Sequence, residues 1–476
     1  MYVHMYINVY VKKNRRMVIL ACIINCIIIV VQSLSEWSAS HRIHFVEMWE
    51  KMEKPHERIA LTYSSIFVPF YKLLKYLGVF PYSFEFHAVP ENHAGRRPLS
   101  RVIYARTEIW AILHKIVIIF YTTNSIYQVF QLIWNLIFPS SDSSALLILA
   151  TWSLASVLGL MVALKYWKDG DSIVKWMTDM NTLESDIYEN YKSKGPTVST
   201  IIQGHHAEYR RGIVSLISFV IIGSSAIAMR HFGDPNSPIF IYSVLPPHWA
   251  LFGFSVAFHA LVVAVELGFV IQFVMGILDF CRVVESCLTI ISYRHDNNEE
   301  EKDAISSFSI LLEMDEAAQY YKKLGKLIHD TNQLFGWMVA TQLGGYSAMG
   351  CLVAFLPIYY WKASTTLTLS GYILLLVFMV FLFCRVFPNV GGLFDASKEF
   401  QLGWLRGVGY RRDALRVVGG EEGKYFKLVR LRLDTCVPFG IRCGRFFYIR
   451  TSTMLTFFSA MSTYLIIMLQ FGNKFY

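Results

Sequence analysis

The chain has 476 residues, 54% of them hydrophobic and 15% aromatic, with a mean hydropathy of +0.40 and a formal charge of +9 at pH 7. This is too apolar for an ordinary soluble domain and points to the membrane class. The Lys and Arg residues fall between long apolar runs and form no continuous basic domain, so they read as topology signals and not as a nucleic-acid surface.

Taken from the N-terminus, residues 17–31 form an apolar run behind Lys12, Lys13, Arg15 and Arg16, the pattern of a signal peptide or short signal anchor. If that run spanned with its basic flank inside, residues 34–108, with ten Lys and Arg, would lie outside. The longer charge pattern outweighs the shorter one. Residues 1–47 are therefore read as a doubtful extension, with Met48 or Met52 as alternative starts, and 48–108 as a cytoplasmic N-terminal segment.

A bilayer core needs about 20 apolar residues per helix. Seven segments qualify, at 109–137, 145–166, 212–230, 249–280, 334–360, 369–387 and 450–472. The connections 138–144, 231–248 and 361–368 hold one basic residue among them, Lys362, whereas 167–211, 281–333 and 388–449 are rich in Lys and Arg. By the positive-inside rule the basic loops are cytoplasmic, which puts the N-terminus inside and the C-terminus outside. A G-protein-coupled receptor has the opposite orientation. The chain also lacks that class's outer-loop cysteine pair, acidic-Arg-aromatic triplet and Asn-Pro-x-x-Tyr run.

On the cytoplasmic side, 167–211 and 304–333 read as helical continuations of the spans, the charge run 294–302 as a solvated loop, and the Gly- and Arg-rich stretch 403–424 as an insertion without periodicity. The rest of 388–449 reads as an anchor segment. No metal or cofactor site is expected. His205 and His206 are adjacent and point apart, Cys436 and Cys443 lack further ligands at spacing, and the glycines from Gly403 to Gly420 follow no strand and lead to no Gly-Lys-Ser/Thr ending. Enzyme motifs are absent too, so catalysis is not expected.

Two sets of polar residues sit in the spans. His259 and Glu266 are seven apart in the fourth and share a face; ionisable groups there are functional candidates, while a hydrogen-bonded pair that fixes packing is the alternative. With Trp249, Gln342, Tyr346 and Tyr372, and with Ser224 and Ser225 of the third span, they are candidates for a small-molecule pocket. In the seventh span Ser452, Thr456, Ser459, Thr463 and Gln470 follow steps of 4, 3, 4 and 7, which keeps them on one stripe that Ile466 and Ile467 interrupt. An apolar break between polar rings can gate a pore by dewetting; equally, small hydroxyl residues can let a helix pack closely.

The end of that span, Thr463-Tyr464, five hydrophobic residues, then Gln470-Phe471, resembles the signature of the seventh helix of arthropod gustatory receptors, in the insect chemoreceptor superfamily. Phe446-Phe447-Tyr448-Ile449-Arg450 is similar to that family's aromatic pair and Arg before the helix, and Leu77-Gly78-Val79-Phe80-Pro81 to its Gly-x-x-Pro run before the first. The resemblance implies an all-α membrane protein of seven helices, assembled as a homo- or heterotetramer with related receptors and acting as a tastant-gated non-selective cation channel. It implies that Gln470 sits at the outer mouth and Ile467 at the gate, and that Thr463 and Tyr464 lock this helix against its neighbours; with the stripe, Ile466, Thr463 and Ser459 are also read as pore or gate residues and Phe471 as packing. The ligand would enter among the outer halves of helices two to six, and the plasma membrane of a sensory neuron is the implied location. Sugar receptors carry an acidic residue after the Thr-Tyr pair, where Leu465 stands here, which leaves a fructose-type or bitter-type receptor open. An odorant-receptor-like channel, a G-protein-signalling receptor and a transporter are the alternatives.

Overall fold

The computed structural model describes residues 68–88, 100–106, 108–138, 143–191, 240, 249–292, 307–359, 366–410 and 421–472. The run 17–31, the third expected span with Ser224 and Ser225, the His205–His206 pair and the charge run 294–302 lie outside the described residues.

The described elements are α1 (Val68–Tyr76), β1 (Tyr82–Ala88), β2 (Ser100–Arg106), α2 (Glu108–Ile137), α3 (Ser143–Lys168), α4 (Gly170–Asn190), α5 (Trp249–Ile291), α6 (Ser307–Tyr359), α7 (Thr366–Tyr410), α8 (Glu421–Asp434), β3 (Arg442–Cys443), β4 (Phe447–Tyr448) and α9 (Thr453–Gly472). Six of these helices, α2, α3, α5, α6, α7 and α9, are long and apolar enough to cross a membrane. At about 1.5 Å per residue, α6 with its 53 residues is about 80 Å long, well beyond the ~30 Å hydrocarbon core. α5, α6 and α7 project together at the end that carries the basic loops, called the basic end below.

The core is a helical bundle around α5. This helix is hydrophobic on all sides, as a helix enclosed over most of its length must be, and 78% of its most apolar window is buried. Its Phe269, Phe280 and Val284 are wholly enclosed.

Residues 77–82 form a wedge in the basic end of the bundle. Gly78, with φ +70°, closes α1 in a Schellman motif: its N–H donates to the Lys75 carbonyl (2.9 Å) and that of Val79 to the Leu74 carbonyl (3.0 Å). The turn drives Val79, Phe80 and Tyr82 into the interior, each 1% exposed or less. Val79 meets α5 where Gly268 makes room, because a Cβ there would stand 3.0 Å from a Val79 methyl. The Gly78 carbonyl lies 2.8 Å from His114 Nδ1 of α2, and the Tyr82 hydroxyl donates to the Tyr166 carbonyl of α3 at 2.8 Å. Tyr71 stacks on Phe80 and donates to Asp279 Oδ2 of α5 at 3.0 Å. The β1–β2 hairpin that follows, with Tyr82 opposite Arg106 and Ala88 opposite Ser100, has no counterpart in the sequence reading.

At the same end α8 lies on α6, with Arg432 paired to Asp315 and Tyr425 donating to the same carboxylate at 3.3 Å. The Tyr321 hydroxyl sits between the carbonyls of Ser397 (3.2 Å) and Val437 (3.1 Å), its ring 4.5 Å from that of Phe400. Burial pushes the Tyr321 phenol above its ordinary pKa, so it stays a donor to those carbonyls. Helix occupies both ends of the stretch 403–424, which the sequence presents as irregular: α7 continues to Tyr410 and α8 starts at Glu421. The physical reason at the α7 end is Trp404, 3% exposed, whose indole N–H donates to the Ile291 carbonyl of α5 at 3.1 Å.

Candidate functional site

α9 differs from the other membrane-length helices in that none of its apolar window is buried within the subunit. It hangs from a short hairpin, β3–β4, which α6 holds, with the segment leading into it, by three hydrogen bonds, one from backbone to backbone and two through the Asn332 side chain. Gly444 N–H donates to the Gly336 carbonyl (2.8 Å), Arg442 N–H to Asn332 Oδ1 (2.8 Å), and Asn332 Nδ2 to the Gly440 carbonyl (2.9 Å). Gly444 turns the hairpin at φ +60°, a conformation glycine adopts without steric cost. Of the residues resembling the family's aromatic pair and Arg, Phe446 meets Trp337 edge-on at 5.8 Å, Ile449 is buried, and the Arg450 guanidinium lies 4.6 Å over the Phe394 ring.

The foot of α9 is fixed by α7. Thr451 donates to Asp395 Oδ2 at 2.7 Å, and Gly391 gives the chain room to pass: a Cβ there would lie 2.6 Å from the Arg450 carbonyl carbon and 2.9 Å from Thr451 Cα. Higher up, Phe457 packs between Phe383 (4.8 Å) and Phe387 (4.9 Å) of α7, and Gly350 of α6 accommodates Met461, whose carbonyl faces the Cys351 thiol at 3.7 Å. Gly391, Gly350 and Asp395 were not anticipated from sequence. Their only signal is two glycines soon after Pro388, and glycine in an apolar helix has many meanings.

The rest of α9 is uncovered. Thr456, Ser459, Thr463 and Gln470 are exposed, as are Tyr464, Ile466 and Ile467. The Thr463 hydroxyl returns to the Ser459 carbonyl at 3.0 Å, a local bond that satisfies the donor. Phe471 is in the last turn of α9, its side chain outside those described.

The candidate pocket residues separate into two layers and one outlier. His259 (5% exposed) and Tyr372 (8%) belong to a cluster at the end of the bundle opposite the basic end; His259 meets Phe240 and Phe258 edge-on, each at 5.2 Å, and Tyr372 packs with Phe240, Ile148, Val263 and Leu356. Glu266, Gln342 and Tyr346 form a second layer, with Tyr121 of α2 acting on the carboxyl. Trp249 starts α5 and is 82% exposed. Tyr121, wholly buried, is absent from the sequence-based candidates because one Tyr in an apolar helix carries no pattern of its own.

A third feature lies nearer the basic end. A cavity of about 60 Å³ opens between α5, α6 and α7, walled by Phe273, Ile277, Phe383 and Phe387 and closed by Ile441 and Ile449 beside the hairpin. Gln342 and Tyr346 also line it, so it adjoins the polar layer. Among the described residues no group of three or more His, Cys, Asp or Glu could hold a metal ion.

No family model and no curated protein sequence matches the chain. Its fold does match solved structures. The insect olfactory receptor OR5 of Machilis hrabei superposes with a TM-score of 0.62 at 10% identity, over 85% of this chain and 97% of that one. The same receptor in complex with eugenol superposes with a TM-score of 0.54 at the same identity and coverage. The chain is thus a multi-pass membrane protein that shares its fold with the insect olfactory receptor OR5.

Proposed function

We propose that the chain is a gustatory subunit of a ligand-gated, non-selective cation channel in the plasma membrane of sensory neurons. The observation that carries this reading is α9: a membrane-length helix with a stripe of hydroxyls and an amide and no burial of its apolar window. Polar groups facing hydrocarbon are costly, and a closed ring of copies gives that stripe water and the apolar flank a partner. In a tetramer, homomeric or formed with related receptors, Gln470 marks the outer mouth, Ile467 and Ile466 the gate, and Ser459 and Thr463 the wall, while Tyr464 and Phe471 pack between subunits. The seven spans run with the N-terminus inside and the C-terminus outside, and the extensions of α5 to α7 with 388–449 anchor the subunits to one another.

The ligand is a small, largely apolar molecule received by the aromatic layer of His259, Phe258, Phe240 and Tyr372, with Glu266, Gln342 and Tyr346 beneath it. The neighbouring receptor's complex with eugenol supports a ligand of this kind. An odorant-receptor-like subunit is the second reading, favoured by the olfactory neighbours; the residues Thr463 to Phe471 favour the gustatory one.

The test is current in excised patches, free of G-protein signalling, from cells expressing the full chain and screened against a tastant panel. Ligand-evoked cation current is expected, with Gln470→Ala altering ion permeation and Ile467→Ala raising current without ligand. Currents unchanged by every substitution at 463, 467 and 470 would overturn the pore assignment, and surface labelling of an N-terminal tag on unpermeabilised cells would overturn the topology.

A further inference from the structure

The cavity of about 60 Å³ between α5, α6 and α7 lies where the bundle is otherwise closely filled. Native interiors keep few voids larger than a water molecule, because lining atoms without neighbours lose their dispersion contacts. Its walls include Phe273 and Ile277 of α5, Val339 of α6 and Val390 of α7, all buried. Among the described residues no charged side chain lines it, and its inner surface is almost wholly carbon. Gln342 and Tyr346 border the cavity but keep their oxygens buried in its walls, and Gln342 Nε2 is already engaged by the Leu158 carbonyl at 2.9 Å.

This chemistry selects the occupant. A water needs about two to four polar partners, which a carbon surface does not offer, whereas apolar cavities stay dry and take apolar guests. An apolar cavity of about 150 Å³ holds benzene. About 60 Å³ leaves room for roughly two or three heavy atoms. The cavity is also distinct from the aromatic layer, since Phe273 lies 14 residues beyond His259 on α5, about 21 Å along the helix.

Two attachments of α9 border this space. Phe383 and Phe387, which line it from α7, are the same rings that hold Phe457, at 4.8 and 4.9 Å. Ile441 and Ile449, which line it beside the hairpin, are joined by the bond from the Ile449 N–H to the Ile441 carbonyl at 2.9 Å. A guest in van der Waals contact with these walls braces the rings and the hairpin together, and an empty cavity leaves them room to shift.

We propose that this cavity is a binding site for a small, uncharged, apolar molecule of about two or three heavy atoms, a short alkane, alkene or haloalkane, and that its occupant steadies the foot of α9. Binding and bracing are properties of the single subunit, so the site does not rest on the channel reading.

The experiment is hydrogen exchange, read by mass spectrometry, on the purified full-length protein in lipid nanodiscs under xenon and under helium at equal pressure. Xenon, compact and apolar, is the probe, and it is expected to slow exchange over 441–457 saturably, by about threefold. Val339→Ile and Val390→Ile each add a methyl group to a lining residue. Combined, they are expected to slow exchange of the hairpin on their own and to abolish the xenon response. Ile277→Ala enlarges the cavity and is expected to make the hairpin respond to benzene, to which the wild type does not respond. The valine substitutions decide the matter if the alanine variant does not fold. Equal exchange in the two gases, a xenon response that survives the valine substitutions, or one that is present in detergent and lost in nanodiscs would each overturn the proposal, the last by assigning the space to lipid chain ends.

Discussion

α5 and α9 are both apolar enough to cross a membrane, yet 78% of the window is buried in one and none in the other. α5 is mostly finished within the subunit: beyond its first turns, where Phe254 and Leu261 are exposed, its neighbours cover it, and polar groups such as Glu266 are buried. α9 is held at its foot and along one side and otherwise shows both hydroxyls and large apolar groups, Leu455 at 76% and Tyr464 at 64% exposure. Apolarity therefore separates membrane segments from soluble ones, whereas burial in the single subunit separates helices that complete the fold from a helix whose surroundings must come from elsewhere.

This contrast can be broken by mutation. The largest effect is expected for Phe269→Ala in α5, which empties a fully buried ring site and should cost about 3–5 kcal/mol; equilibrium unfolding of the purified protein would show it in separated subunits and assemblies alike. Next comes Gly391→Val, which adds atoms where the backbone of Arg450 and Thr451 passes and should cost about 1–3 kcal/mol. Its signature is specific: protease or cysteine-labelling access to α9 should rise while the α5 core stays protected. Asp315→Asn removes the charge that Arg432 meets, and because Arg432 is 41% exposed, screening limits the loss to about 1 kcal/mol or less, fading at high salt. The smallest effect, below about 0.5 kcal/mol in separated subunits, is expected for Leu455→Ala in α9. Should Leu455→Ala destabilise separated subunits as much as Phe269→Ala, the two helices would not differ in the way their burial indicates.

How much of this was legible beforehand varied with the kind of interaction. Each of the six membrane-length helices overlaps a segment expected from hydropathy, because about 20 apolar residues in a row have few other uses. The long extension of α6 was visible in helical spacing such as that of Leu311, Met314 and Leu324, whereas that of α7 was not. The wedge at 77–82 was recognisable only as a resemblance, since its role depends on Gly268 and His114, far away in the chain. His259 and Glu266 share a face as expected, but seven residues span about 10 Å along a helix, enough to put them in different layers with different partners.

The attachment of α9 has a mechanical consequence. Because the helix is gripped at its foot, through Thr451 on Asp395 and the hairpin on Asn332, it behaves as a lever whose pivot lies between α6 and α7. Beyond its last contact at Met461 the arm to Gln470 measures about 14 Å, so a rotation of about 5° there sweeps its tip by about 1 Å. A small slip of α7 against α6 near Pro388 is thus magnified at the far end of α9, while the pivot itself barely moves.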